Sequence, residues 1–414
     1  MKILLMFADM VRGDISSLKN LNYEDTKLET ILKSLGGRYY TNAYTPSPDT
    51  ARAWGNVISG CYGVKNGSIQ PGYYPRDFYL LQNDLFTFLS LKGYVIYALI
   101  TPREHERGFF PSSVEDKIKI YFEPNDILED FNQDSSENKI LFYYSEDYHK
   151  TIMDEATIES ERKARELIGN NLEDIINKIN IDEFDKFLLF SDHGCRLDID
   201  DTRLTYSAND NKTNVVLYLK DNKEQKELYI DNKLVSLLDI FPTVASWFDE
   251  KIQDVDGISL NEERENRKIY IEDGFANYQG FLVEKDVLER AYFCAVKHQN
   301  AIESYSLRDL LSLTKESEVF THTVYAKKFL LDLMVLEKEE RIREDKMDIT
   351  LMNSYDKNIT IYSKNGTKLS YLHGERLSLE SKNNHLDYRD IFRRVSNINR
   401  VKITKAIRLL LSDA

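Results

Sequence analysis

Residues 2–8 read KILLMFA, an apolar run without alternation, as expected of a strand buried on both faces of a parallel sheet. The pattern returns in YVIYALI (94–100), KILFYYS (139–145) and KFLLF (186–190). Between these runs the apolar period lengthens to that of a helix. YEDTKLETILKSLGG (23–37) is one helix candidate, closed by its glycines, and LFTFLSLKG (85–93) reads as a helix stop. Another helix candidate spans 154–179, with Ile158, Ala164, Leu167, Ile168, Leu172, Ile175 and Ile176 at helical spacing. TNVVLYLK (213–220) and the helix LVSLLDIFPTVASWF (234–248) continue the alternation. This βα rhythm predicts an α/β fold, a mostly parallel sheet with helices on both faces. Ligand sites in such sheets lie at the carboxyl ends of the strands.

After DGISL (256–260) the pattern changes, and residues 262 to 345 read as helical and charged, with KKFLLDLMVLEKEERIREDKM (327–347) the clearest helix. From 346 onward short alternating strands follow, such as NITIYSKNGTKLSYLHG (358–374), in which Asn365-Gly366 signals a hairpin. The expected division is a catalytic domain over 1–262 and a small C-terminal α+β subdomain with antiparallel strands over 263–414.

The chain has 414 residues and a net charge of -14, enough for one large α/β domain with a smaller one. No basic run is present, which argues against a nucleic-acid surface. No stretch approaches the ~18 apolar residues of a membrane span. The N-terminus carries Asp9 inside its apolar run and lacks the features of a signal peptide, so the expected location is the cytoplasm. Three cysteines fit neither a disulfide framework nor a zinc site.

Three polar clusters follow buried strands: Asp9 after KILLMFA, Asp192 and His193 after KFLLF, and Asp147 and His149 after KILFYYSE. Each Asp alone reads equally well as a helix or turn cap. Asp9, Asp192 and His193 taken together form a hard-metal constellation of oxygen and imidazole ligands at one sheet edge.

In their order along the chain, ILLMFADMVRGD, TNAYTPSPDTARAWGNVISGCYGVKNG, LFYYSEDYHKT, FLLFSDHG, LLDIFPTVASW and DGISL resemble the alkaline phosphatase superfamily, and within it the sulfatase-like hydrolases and transferases. The resemblance covers residues 1 to 262. It implies that the nucleophile starts a helix, with Gly ten residues later and Tyr two beyond. Counting back from Gly60 and Tyr62 selects Thr50, and Gly67 also falls in place. A hydroxyl there has the helix N-terminus facing an incoming anion, and metal coordination by Asp9, Asp192 and His193 would activate it. Ser47, held between two prolines, reads as a turn residue, and Cys61 as packed at the helix end. Thr50 itself could instead be an N-cap.

Formylglycine-dependent sulfatases carry Cys or Ser followed by x-Pro-x-Arg, whereas this chain has Thr50-Ala-Arg-Ala-Trp54. That departure points to the Thr-nucleophile branches: phosphodiesterases, relatives of phosphonate monoester hydrolases, and phosphoglycerol and phosphoethanolamine transferases. The resemblance therefore implies a metal-dependent phosphoric ester hydrolase or phosphotransferase working through phosphothreonine. Its substrate would be a small-molecule or glycan phosphate ester, with surface-polysaccharide metabolism as one setting. It implies one divalent ion (Mn, Mg, Ca or Zn, with Mn or Mg favoured) held by Asp9, Thr50, Asp192 and His193. His149 would be the substrate-side acid or base, and Arg52, Arg103 and His105 would contact the ester. His149 also reads as a hydrogen-bonded strand-end residue, Arg52, Arg103 and His105 as solvated side chains, and Arg12 with Asp14 as a structural pair. A second metal would draw on His373 or His385. The alternatives are a sulfatase lacking formylglycine and a catalytically degenerate binding scaffold.

Overall fold

A computed structural model of the chain describes residues 1–68, 74–78, 80–195, 209–262, 265–274, 292–305 and 318–323, with the backbone of four strands between 349 and 380. The apolar runs become strands β1 (Lys2–Ala8), β2 (Gly37–Tyr40), β3 (Ala43–Tyr44), β4 (Val95–Leu99), β5 (Ile118–Tyr121), β6 (Lys139–Ser145), β7 (Lys186–Phe190), β8 (Leu217–Lys220), β9 (Leu228–Asp231) and β10 (Val235–Ser236). Eight of them form one sheet in the order β5-β4-β6-β1-β7-β8-β2-β9, while β3 and β10 pair separately. β1 lies at its centre, parallel to β6 on one side and β7 on the other. The helices are α1 (Lys27–Leu35), α2 (Thr50–Ser59), α3 (Gly63–Asn66), α4 (Leu85–Leu91), α5 (Pro102–Glu106), α6 (Pro124–Gln133), α7 (Asp147–Asp154), α8 (Ile158–Lys178), α9 (Asp210–Thr213) and α10 (Ile240–Ser246).

Alternation along β1 explains how one strand serves two cores. Ile3, Leu5 and Phe7 point into a cluster with Trp54, Phe86, Phe142 and Phe241, whereas Leu4, Met6 and Ala8 face Leu28, Leu32, Ile168 and Leu172. Both faces are thus covered by helices, which is why the strand carries no polar face. The first cluster is strongly aromatic: Trp54 stacks on Phe109 at 4.6 Å and on Phe7 at 5.5 Å, and its indole donates to the Phe109 carbonyl at 2.7 Å.

Three expectations change. First, TNVVLYLK is a strand but runs antiparallel to β7 and β2; its apolar run reports burial on both faces and carries no information on direction. Second, the helix read over 154–179 is present as α8 but starts at Ile158, where the Thr157 hydroxyl accepts the Ser160 N–H, because a separate helix, α7, ends at Asp154. Third, the helical reading of 262–345 fails at 269–274 and 292–305, where β11 (Ile269–Gly274), β12 (Tyr292–Lys297) and β13 (Ile302–Tyr305) form a three-stranded sheet. IYIEDG and YFCAVK are rich in the aromatic and β-branched residues that favour strands, a signal masked by their charged flanks. The helix read over 327–347 lies outside the described residues.

The chain divides into two compact units, Met1–Ile271 with Ala295–Glu303, and Glu272–Cys294 with Ser304–Ala414. In the second unit β14 (Ile349–Asn353), β15 (Ile359–Ser363), β16 (Lys368–Tyr371) and β17 (Ser378–Glu380) form an antiparallel sheet. β15 and β16 are the hairpin that Asn365-Gly366 predicts.

Candidate functional site

The register of the central strands assembles the site. β1 and β7 pair Phe7 with Phe190, so Asp9 and Asp192, each two residues further on, leave the sheet side by side. β6 pairs Ser145 with Ala8, and the Asp9 N–H donates to the Ser145 carbonyl at 2.9 Å. That places the first turn of α7, and His149, on the other flank of Asp9. Asp9, Asp192 and His193 each offer one ligand atom within 4.8 Å of the others.

Each side chain is aimed. Asp9 accepts the Tyr144 hydroxyl through Oδ2 at 2.6 Å, and its Oδ1 lies 3.3 Å from His149 Nδ1. Asp192 Oδ1 accepts the N–H groups of Met10 and His193, both at 2.8 Å. The first of these bonds uses a left-handed backbone at Met10 (φ 69°), uncommon for a residue with a side chain. His193 Nδ1 lies 2.7 Å from the Gly194 carbonyl. A carbonyl only accepts, so Nδ1 carries the proton and the Nε2 lone pair faces Asp192. Gly194 is required there, since a Cβ would fall 2.1 Å from the Asn211 carbonyl oxygen.

The residues fit a divalent cation. Asp192 Oδ2 is buried without a hydrogen-bond partner, 3.4 Å from His193 Nε2; a buried carboxylate oxygen left in that state is costly unless a cation meets it. Burial, and then the charge of Asp9, pushes the Asp192 carboxyl up to about 6. Burial acts in the same direction on Asp9, but His149, His193 and the Tyr144 hydroxyl outweigh it and hold that carboxyl below its ordinary value. The hydrogen bond to Asp9 raises His149 against the opposing effect of burial. Two carboxylates and one imidazole, with a hydroxyl beside them, suit a hard or borderline divalent ion.

Thr50 is that hydroxyl. Its Oγ1 lies 3.3 Å from His193 Nε2, at the first residue of α2. The N-cap is Asp49, whose carboxylate accepts the Arg52 N–H, so the Thr50 side chain is not the cap. Thr50 and Trp54 are four residues apart and share a helix face. The indole, locked into the aromatic core, therefore sets the helix so that its first turn ends over the strand edge. Gly60 closes α2 in a left-handed conformation (φ 66°), its N–H returning to Asn56. The glycine ten residues after Thr50 is thus a helix stop, and Gly67 plays the same part for α3.

The other site candidates are spread more widely. Arg52 is buried and ion-paired to Asp49, so it is not the solvated helix arginine its sequence also allowed. Arg103 and His105 lie on α5, after β4, with side chains 60% and 39% exposed and acidic neighbours Glu104 and Glu115. Asp147 turns away from Asp9 and accepts from Ser145 and Asn171. Arg12 pairs with Asp14 at 2.6 Å. Ser47 lies in a buried turn held by Thr45, and the Cys61 thiol meets the Asp254 carbonyl. His373 and His385 are outside the described residues. Tyr144 had escaped notice: within KILFYYS its strand-end hydroxyl reads as one more core aromatic.

No protein-family model matches the chain, and neither does any curated protein. Solved structures do. The chain is similar to a candidate sulfatase from Bacteroides thetaiotaomicron, with TM-score 0.54 and 12% identity over 84% of this chain and 94% of that one. It is similar to BT1596, a 2-O GAG sulfatase, with TM-score 0.53, 12% identity and coverage of 84% and 94%. Phosphonate monoester hydrolase of Agrobacterium radiobacter follows with TM-score 0.51, 13% identity and coverage of 84% and 98%. At these identities the shared property is the fold.

Proposed function

We propose that this chain, which has the alkaline-phosphatase-like fold of those sulfatase and phosphonate hydrolase structures, is a metal-dependent phosphoric ester hydrolase or phosphotransferase acting through Thr50. The observation that carries the reading is the Thr50 hydroxyl at a helix N-terminus, 3.3 Å from His193 Nε2, beside a buried carboxylate oxygen of Asp192 that lacks a partner. A divalent ion held by Asp9, Asp192, His193 and Thr50 would supply Lewis-acid stabilisation and lower the pKa of the hydroxyl. Mn or Mg is favoured.

The chain's own residues then do the following. α2 presents Thr50 Oγ to phosphorus with the helix N-terminus facing the phosphoryl oxygens. The Oγ–P bond forms as the P–O bond to the departing alcohol breaks, and the Thr50 proton is lost to solvent. His149, anchored to Asp9, gives a proton to the departing alkoxide and takes one from the water or second alcohol that later attacks the phosphothreonine. Arg103 and His105, exposed at the same strand edge, contact the ester. Thr at position 50, where formylglycine chemistry would need Cys or Ser, disfavours the sulfatase reading despite the names of the structural neighbours.

Metal analysis of the purified protein, then mass spectrometry after brief exposure to bis(p-nitrophenyl) phosphate, tests this. One bound divalent ion and an adduct on Thr50 are expected, with Thr50→Ala and Asp192→Asn reducing turnover by about 10³-fold or more. An adduct on another residue would remove the nucleophile assignment. Full activity in Thr50→Ala would remove the mechanism.

A further inference from the structure

A second charged cluster lies on the loops that carry the site. Tyr44 is fully buried on β3, six residues before Thr50. Two ammonium groups approach its ring: Lys297 Nζ at 4.6 Å from the centroid and Lys19 Nζ at 5.8 Å. The carboxylates around them are committed: Asp14, whose charge also reaches the Tyr44 hydroxyl, is paired with Arg12 at 2.6 Å. Asp210 accepts the Tyr44 hydroxyl through Oδ1 at 2.8 Å and pairs with Lys19 through Oδ2 at 3.4 Å. Lys297 is only 8% exposed, yet among the described residues it has neither a hydrogen bond nor an ion pair. Burying an ammonium is costly unless a counter-charge meets it, and an aromatic face returns only part of that cost. Burial lowers the basicity of Lys297, with Asp210 opposing and Lys19 reinforcing the effect.

The cluster is tied to the catalytic loops by backbone bonds. The Thr45 N–H donates to the Thr213 carbonyl, and the Gly194 N–H to the Lys212 carbonyl. α9, which begins with Asp210, therefore joins the segment leading to Thr50 to the segment leaving His193. Lys19 and Lys297 against Asp210, with Asp14 neutralised by Arg12, leave a local surplus of positive charge in a chain of net charge -14.

We propose that Lys297 and Lys19 form a second anion subsite at Tyr44, which takes a distal oxyanion (phosphate, sulfate or carboxylate) of the substrate. The inference rests on the proposed phosphoester reading for the primary group, and adds that the substrate carries at least two anionic centres. That fits a charged glycan or polyol better than a simple diester.

Two measurements test it. In the first, kcat/KM is compared for p-nitrophenyl phosphodiesters whose three-carbon chain ends in methyl, carboxylate, sulfate or phosphate. The wild-type protein should favour at least one charged tail over methyl by about tenfold, and the preferred tail identifies the oxyanion. Lys297→Met should erase that preference and Lys297→Arg should keep it. Equal rates for all four tails, or a preference retained in Lys297→Met, would overturn the proposal. The second measurement needs no turnover: acetylation of lysines is followed by mass spectrometry in sodium sulfate and in sodium chloride of equal ionic strength. Sulfate should slow acetylation of Lys297 and Lys19 severalfold more than that of exposed Lys150. Uniform protection, or no acetylation of Lys297 in either salt, would count against the subsite. Selective protection in a protein that hydrolyses none of the esters would leave the subsite standing and remove the proposed reaction instead.

Discussion

Asp192 shows what the site demands of a single residue. Its carboxylate is fully buried, faces Asp9 and keeps one oxygen without a partner. Its carboxyl is pushed up to about 6 from 3.8, so its charge opposes folding above that pH and the penalty fades as pH falls toward 4. At pH 8 the metal-free protein carries that cost in full, on the order of 3 kcal/mol. Asp192→Asn keeps the acceptor for Met10 and His193 and removes the charge. The expected outcome at pH 8 is a metal-free variant at least as stable as the wild type in urea, with its divalent-ion content lost. A variant that is both less stable and still metal-loaded would show the carboxylate to be structural. Of these features the sequence displayed the residue types and their places after apolar runs. The unpartnered oxygen and the contact with Thr50 depend on neighbours more than 100 positions away, and the His193 tautomer on where the fold turns the carbonyl of Gly194.

At the scale of elements, α2 is the part on which the proposed mechanism turns. Its position follows from Trp54 in the aromatic core, from Asp49 at its N-cap and from Gly60 at its end. Asp49 has two tasks, since its carboxylate caps the helix and neutralises buried Arg52. Asp49→Ala should therefore cost more than the ~1 kcal/mol of a lost cap, because the ion pair to Arg52 goes with it. Urea denaturation measures it, and a loss below about 1 kcal/mol would mean that the ion pair adds nothing to the cap. The glycine at 60 and the polar start of α2 were readable as punctuation. That Asp49 and not Thr50 is the cap was not, because Asp-Thr offers two good capping side chains in succession and only the backbone decides between them.

For the whole molecule, the joint between two helices on one face of the sheet is expected to set the acid limit. Arg165 of α8 is fully buried, pairs with Glu29 of α1 and donates to the Arg12 carbonyl at 2.8 Å, just beyond Asp9. Burial alone would raise Glu29, but Arg165, Thr26 and Ser16 more than offset it and hold its carboxyl down at about 2 from 4.5. A depressed acid stabilises the fold above its unfolded value and loses that contribution as pH falls through the folded one. Roughly 3 kcal/mol should thus disappear between about pH 4.5 and pH 2, and Glu29→Gln should flatten that part of the stability–pH curve. An unchanged slope in the variant would place the acid-sensitive group elsewhere. The alternation of buried strands and amphipathic helices and the sheet-edge position of the acids were all in the sequence, because local burial period and residue order are one-dimensional properties. The antiparallel direction of β8 and the strands within 269–305 were hidden: an apolar run records burial but not direction, and charged flanks mask a short strand. The sequence by itself determined which chemistry-bearing residues end the central strands. Only the tertiary structure decided which of them meet, because strand order and register, set by packing on both faces of the sheet, brought Asp9, Asp192, His193 and Thr50 together and turned Asp147 away.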